Sequence, residues 1–330
     1  MNVAMPAVLR ILLIVVAVIL VALVAGYVAL LRADIPYAKL EAKYANGASR
    51  FMNMPGGLRV HYRDQGNPTG PAVVMVHGFS ASLQAWEPWV AILGKDYRIV
   101  TLDLPGHGLT RAPADYRPTI DGYADLVDQL AHRLNLGSYV VVGNSMGGAV
   151  AWDDALRHEQ DVRGLVLVDA AGWPREQPQG DGPLIFRILR SPIGQRLIRN
   201  IDVRSLAASG LRSAYLNRAL VTPALVDRYV ELSRAPGHRR ILLAIGSGRP
   251  TGITAETFRR LRVPTLVMHG MQDELIPYAD GQAFAATIPE ARLVSYPGVG
   301  HVPMEQIPER SAVDLKAFLD GLGAPPARAP

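Results

Sequence analysis

The chain has 330 residues, 49% of them hydrophobic, which is enough to bury one large core with an insertion and too few for a multi-domain array. It contains no cysteine, so disulfides and thiolate metal sites are excluded and redox chemistry says nothing about the compartment. The formal net charge is +5, but the excess lies in an apolar, arginine-rich stretch rather than in a basic patch interleaved with aromatics, so no nucleic-acid partner is expected.

Residues 1–10 form a short N-terminal segment. Residues 11–31 then run without a charge between Arg10 and Arg32, and about 20 apolar residues are what a bilayer core requires. The reading is a single-pass transmembrane anchor rather than a cleaved signal peptide, whose apolar region is typically about 7–15 residues and closes on a small-residue cleavage site. Cations stand on both flanks, Arg10 on one side and Arg32, Lys39 and Lys43 on the other, so the side that the domain faces stays open. The expected location is therefore a membrane, a bacterial inner membrane.

Residues 32–54, with Pro36, Asn46 and Gly47, read as a polar connector. The core then begins, with its first part over residues 55–171. It opens on a strand at 58–63, and continuous apolar runs at 72–76, 98–102, 139–142 and 165–168 predict buried parallel strands, a series resumed at 264–268 and 292–295. Between them Ile120, Tyr123, Ala124, Val127, Leu130, Ala131 and Leu134 recur at helical spacing. Such alternation predicts an α/β fold: a mostly parallel, doubly wound sheet covered by helices.

Residues 172–250 interrupt the series. They hold thirteen arginines, no lysine and five acids, a formal balance of +8, together with the apolar run Leu184-Ile185-Phe186-Arg187-Ile188-Leu189. A helical lid over the active edge of the sheet is expected. Its arginines read either as an ordinary solvated face or as contacts to anionic headgroups, where each basic residue contributes about 1 kcal/mol. The second part of the core follows over residues 251–322, and the Pro- and Ala-rich tail at 323–330 is expected to be disordered.

Gly143-Asn144-Ser145-Met146-Gly147 directly follows a β-branched run and precedes a helix-forming one. This is the pattern of a nucleophile elbow, a strained strand-to-helix turn in which flanking glycines let the backbone pack closely and expose the Ser145 hydroxyl. An alcohol needs a base and an oxyanion site. Open parallel sheets place ligands at the carboxyl ends of their strands, and loops at those ends carry Asp273, after 264–268, and His301, after 292–295. The chain order Ser145, Asp273, His301 is the one an elbow system uses. His301 takes the serine proton and returns it to the leaving group; Asp273 fixes the imidazole tautomer. Asp169, at another strand end, is the rival acid, while Asp103 reads as a turn-stabilising residue. His77, His107 and His269 read as turn histidines. The oxyanion donors are the backbone N–H groups of Met146 and Phe79. No metal and no organic cofactor is implied.

The pieces His77-Gly78-Phe79, Asp103-Leu104-Pro105-Gly106-His107-Gly108, Gly143 through Gly148, Gly270 through Pro277 and Gly300-His301 together resemble an α/β-hydrolase-fold serine hydrolase over roughly residues 55–320. With Ser145 at the elbow, the resemblance excludes the Asp-nucleophile dehalogenases and epoxide hydrolases. An N-terminal membrane segment followed by His-Gly-Phe-Ser-Ala is similar to membrane-anchored monoacylglycerol lipases, which commonly carry Thr where this chain has Asn144. Asn144-Ser145-Met146-Gly147-Gly148 is instead similar to hydrolases that cleave C–C bonds in ring-fission products, which usually carry a more glycine-rich oxyanion loop than Gly78-Phe79-Ser80-Ala81-Ser82. The resemblance implies a serine carboxylic ester hydrolase acting on apolar acyl esters such as monoacylglycerols, with a C–C bond hydrolase as the alternative. A non-catalytic binding module is disfavoured because every catalytic position is filled.

Overall fold

The computed structural model describes residues 6–174, 191–247 and 252–323. In chain order the elements are α1 (Ala7–Leu30), α2 (Tyr37–Tyr44), β1 (Ser49–Met54), β2 (Leu58–Gly66), β3 (Ala72–Val76), α3 (Glu87–Leu93), β4 (Arg98–Leu102), α4 (Ile120–Arg133), β5 (Tyr139–Asn144), α5 (Met146–Arg157) and β6 (Val162–Val168). The insertion supplies α6 (Pro192–Ile198), α7 (Arg204–Ala214), α8 (Pro223–Ser233) and α9 (His238–Ser247). The chain closes with α10 (Ala255–Arg259), β7 (Thr265–Gly270), α11 (Tyr278–Thr287), β8 (Arg292–Tyr296), α12 (Pro303–Gln306) and α13 (Pro308–Gly321). The apolar run at 184–189 and the tail from 324 lie outside the described residues.

The chain divides into two compact units, residues 1–34 with 181–203, and residues 35–180 with 204–330. The first contains α1, a helix of 24 residues with no buried residue, in which an 18-residue stretch reaches a mean hydropathy of 3.3. It is long and apolar enough to cross a membrane, since 24 residues at 1.5 Å each give about 36 Å against a hydrocarbon core of about 30 Å. α6 belongs to the same unit. Ser191 caps it, its hydroxyl accepting from Gly194 N–H at 3.1 Å, and Pro192 occupies the first turn, where a missing N–H costs nothing.

The second unit is built on one eight-stranded sheet in the order β1-β2-β4-β3-β5-β6-β7-β8. β1, β2 and β4 pair antiparallel and the remaining neighbours pair parallel. The two-residue period of a strand divides each central run between two cores. Val74, Val76, Val141, Leu165 and Leu167 face Tyr123, Val127 and Leu130 of α4 and Val150 and Ala151 of α5. Val73, Met75, Val140, Val142, Val166 and Val168 join Trp86 and Trp89, Leu315 and Phe318 of α13, and residues of α7 and α8. Burial on both faces is why these strands read as unbroken apolar runs.

Residues 32–54, read from sequence as a connector, contain α2 and β1. Leu40, 1% exposed, is the fully buried residue of α2 and packs with Leu109, Leu232 and Ala235, with Tyr37 and Tyr44 partly buried against the same cluster. A single buried leucine among Lys39, Glu41 and Lys43 is too little periodicity to register as a helix. β1 adds to the antiparallel edge through its register with β2, Ser49 opposite Arg63 through Met54 opposite Leu58.

Candidate active site

Ser145 stands between β5 and α5 with φ 56° and ψ −119°, a conformation that L-residues adopt only when their surroundings enforce it. The enforcement is visible in the glycines. A Cβ at 143 would lie 2.0 Å from the Gly147 carbonyl oxygen, and one at 147 would lie 2.1 Å from that of Val76. The turn is further held by Ser145 N–H donating to Val168 O at 3.0 Å, and by Ala171 N–H donating to Ser145 O at 2.9 Å. α5 begins at Met146, so the Met146 N–H belongs to the unpaired first turn of a helix, where negative charge is favoured. The loop after β3 also packs against the serine: a Cβ on Gly78 would sit 3.1 Å from Ser145 Cβ. Phe79, next in that loop, is 45% exposed, and its ring meets His107 edge-on.

The loops after β7 and β8 bring Asp273 and His301 together. His301 Nδ1 donates to Asp273 Oδ2 at 2.7 Å. A donating Nδ1 leaves Nε2 as the acceptor of a neutral ring, the tautomer required of a general base. The other oxygen of Asp273 accepts from Leu275 N–H at 2.7 Å and Ile276 N–H at 3.0 Å. Burial works to raise its pKa, yet the His301 bond and these two amides together hold it below the ordinary carboxylate value. A Cβ on Gly270 would lie 2.0 Å from Gly300 O, so the two loops touch backbone to backbone. On the insertion side, His301 N–H donates to Ala214 O of α7 at 2.8 Å.

Two further residues shape this edge. Asn144, 3% exposed, donates from Nδ2 to Val168 O at 3.1 Å and to His301 O at 3.0 Å, tying the histidine loop to the residue before Ser145. Asp169, the rival acid from sequence, faces Asp273. Its Oδ1 accepts from Gly270 N–H at 2.8 Å, and polar atoms of Asp169, His269 and Asp273 all fall within 4.8 Å of one another. Burial, and the Asp273 charge next to it, push the Asp169 carboxyl well above its ordinary value. His269 Nε2 bonds the Ile276 carbonyl at 3.1 Å, so that nitrogen is a donor with no lone pair to offer a cation.

The remaining residues singled out from sequence are structural. Asp103 accepts from Leu83 N–H and Leu109 N–H, each at 2.8 Å, and pairs at 2.6 Å with His61 in full burial. Burial opposes ionisation there, but the His61 bond and the amides hold its carboxyl far below the ordinary range. His77 accepts from Leu104 N–H at 3.1 Å, and His107 is kept neutral by burial and by its histidine neighbours. Sequence reasoning did not identify the roles of Asn144 and His61. Each depends on a partner far along the chain, 157 residues away for Asn144 and 42 for His61, and no local pattern marks it.

A family model described as alpha/beta hydrolase fold matches residues 71–307. Among curated proteins, a 2-hydroxy-6-oxo-6-(2'-aminophenyl)hexa-2,4-dienoic acid hydrolase of Metapseudomonas resinovorans is 28% identical over 288 residues, covering 85% of this chain and 93% of its own. Monoacylglycerol lipase abhd6-A of Xenopus laevis is 26% identical over 274 residues, covering 81% of each. The crystal structure of esterase RhEst1 from Rhodococcus sp. ECU1013 superposes with a TM-score of 0.67 at 25% identity, over 84% of this chain and 100% of that one. With an eight-stranded, mostly parallel sheet, a strained serine between β5 and α5 and a family match across its core, the chain belongs to the α/β-hydrolase fold family.

Proposed function

We propose that this protein is a membrane-anchored serine ester hydrolase for apolar acyl esters, monoacylglycerols among them, acting through Ser145, His301 and Asp273. The observation that carries the reading is the 2.7 Å bond from His301 Nδ1 to Asp273, in a loop whose His301 carbonyl is held by Asn144, the neighbour of Ser145. In this mechanism His301 Nε2 accepts the Ser145 proton as the hydroxyl attacks the ester carbonyl, and Asp273 stabilises the resulting imidazolium. The N–H groups of Met146 and Phe79 receive the developing oxyanion, each such donor being worth about 3 kcal/mol in the transition state. His301 then protonates the leaving alcohol. Water, deprotonated by the same imidazole, releases the acid from the acyl-enzyme.

The helical insertion between β6 and β7 serves as the lid, and α1 as the single-pass anchor. The ester reading draws support from the lipase and esterase relatives; the C–C bond hydrolase reading draws support from the Metapseudomonas resinovorans relative. A fluorophosphonate probe should label the full chain and not Ser145→Ala, and p-nitrophenyl esters of graded chain length should be turned over only by the former. Labelling of Ser145→Ala at the parent rate would overturn the assignment. Turnover of vinylogous diketone acids with inert esters would establish the C–C alternative.

A further inference from the structure

The last turn of α1 and the segment that follows α6, distant in sequence, are hydrogen-bonded to one another. Leu31 and Ile201 form an antiparallel bridge, with Arg32 N–H donating to Asn200 O at 2.7 Å and Asp202 N–H donating to Leu30 O at 2.8 Å. Arg32 Nε pairs with Asp202 Oδ2 at 3.0 Å, while the same guanidinium donates to the Ala29 and Leu31 carbonyls at 2.8 and 3.0 Å. One turn earlier, the Tyr27 hydroxyl donates to the Leu197 carbonyl, the penultimate residue of α6, at 3.0 Å. The carboxyl end of α6 is thereby held level with Tyr27, three residues short of the end of the helix. Aromatic side chains at that depth of a spanning helix sit among headgroups.

The outer surface of α6 suits that level. Ile193 and Leu197, one turn apart, are 71% and 51% exposed, and the neighbouring Arg196 and Arg199 are exposed as well. Apolar side chains with arginines beside them are the signature of a helix lying in the membrane plane, its aliphatic groups in the acyl boundary and its guanidinium groups on anionic phosphates.

We propose that α6 is an interfacial membrane contact: its Ile193 and Leu197 insert into the same anionic bilayer that α1 crosses, and the Leu31–Ile201 bridge with the Arg32–Asp202 pair holds it there. The proposal rests on the reading of α1 as an anchor. Its consequence is that the segment from α6 to Asp202 is fixed at the bilayer surface together with the end of α1.

Because the chain has no cysteine, single cysteines carrying an environment-sensitive fluorophore can be placed in the full protein without background. In phosphatidylcholine–phosphatidylglycerol vesicles, label at Ile193→Cys or Leu197→Cys should emit at shorter wavelength and be quenched by shallow spin-labelled lipid. Label at Val18→Cys reports the anchor, and label at the exposed core residue Val313 gives the aqueous reference. Asp202→Lys should return the Leu197 label to an aqueous spectrum, and the swapped pair Arg32→Asp with Asp202→Arg should restore it. Aqueous spectra at 193 and 197 with a lipid-quenched Val18 label would overturn the proposal and leave the anchor standing. Aqueous emission at Val18 would remove the anchor and the proposal with it. Labels shielded from water yet untouched by spin-labelled lipid would mean that a protein surface, such as a second copy, covers α6, and this also overturns the proposal.

Discussion

Replacing Asn144 tests whether the Ser145 turn and the His301 loop are held as one piece. In Asn144→Ala the His301 carbonyl loses the donor at 3.0 Å, and the Val168 carbonyl keeps only the Ser145 N–H. A neutral hydrogen bond contributes about 0.5–1.5 kcal/mol net, and a buried carbonyl left bare costs about 1–3 kcal/mol, so a loss of about 2–3 kcal/mol is expected. For a domain of this size that is a fall in Tm of about 3–5 °C. The kinetic effect is separate. A histidine loop free to shift by about 1 Å loses on the order of 10²-fold in kcat, while KM for a small ester stays near the parent value. Asn144→Asp should be worse than Asn144→Ala, because a buried carboxylate cannot donate and would face two carbonyl oxygens. The assays are p-nitrophenyl butyrate kinetics and thermal unfolding of the detergent-purified full chain. Parent-like kcat and Tm in both variants would refute the idea that this amide joins the two loops.

Asp169→Asn keeps an acceptor for Gly270 N–H and removes an acid beside Asp273, so turnover at neutral pH should persist, whereas Asp169→Leu leaves that N–H bare and should lower it. The sign of the pH effect follows from the raised Asp169 pKa: above about 3.9 the unfolded chain has released a proton that the folded chain retains, so this residue costs stability as pH rises until its folded pKa is passed. Asp169→Asn should therefore lose Tm less steeply than the parent between about pH 5 and 8; identical slopes would show that Asp169 is ionised in the fold. Gly270→Ala places a methyl 2.0 Å from Gly300 O, a backbone atom with no rotamer to yield, so the acid and histidine loops must part. A large loss of kcat with a lower Tm is expected, and a parent-like enzyme would contradict the tight backbone contact.

The fold was legible because its central strands are buried on both faces and so need unbroken apolar runs, as at 72–76 and 98–102. The strand-to-helix turn at Ser145 was legible for a similar reason: glycine alone fits where the backbone of α5 meets those of β3 and β5. Local pattern reports which face of an element is buried. It does not report which loops the sheet order makes neighbours. Strand order β5-β6-β7-β8 is what sets Asp169 against Asp273 and joins Asn144 to His301; the antiparallel edge is what pairs His61 with Asp103 and gives the weakly patterned residues 49–54 a strand to join. The bridge from the end of α1 to Ile201 has the same character. Polar partners and main-chain pairings form between segments that never meet along the chain, so their identity was decided by tertiary structure, while composition and period already determined the elements of the core, α2 and β1 apart.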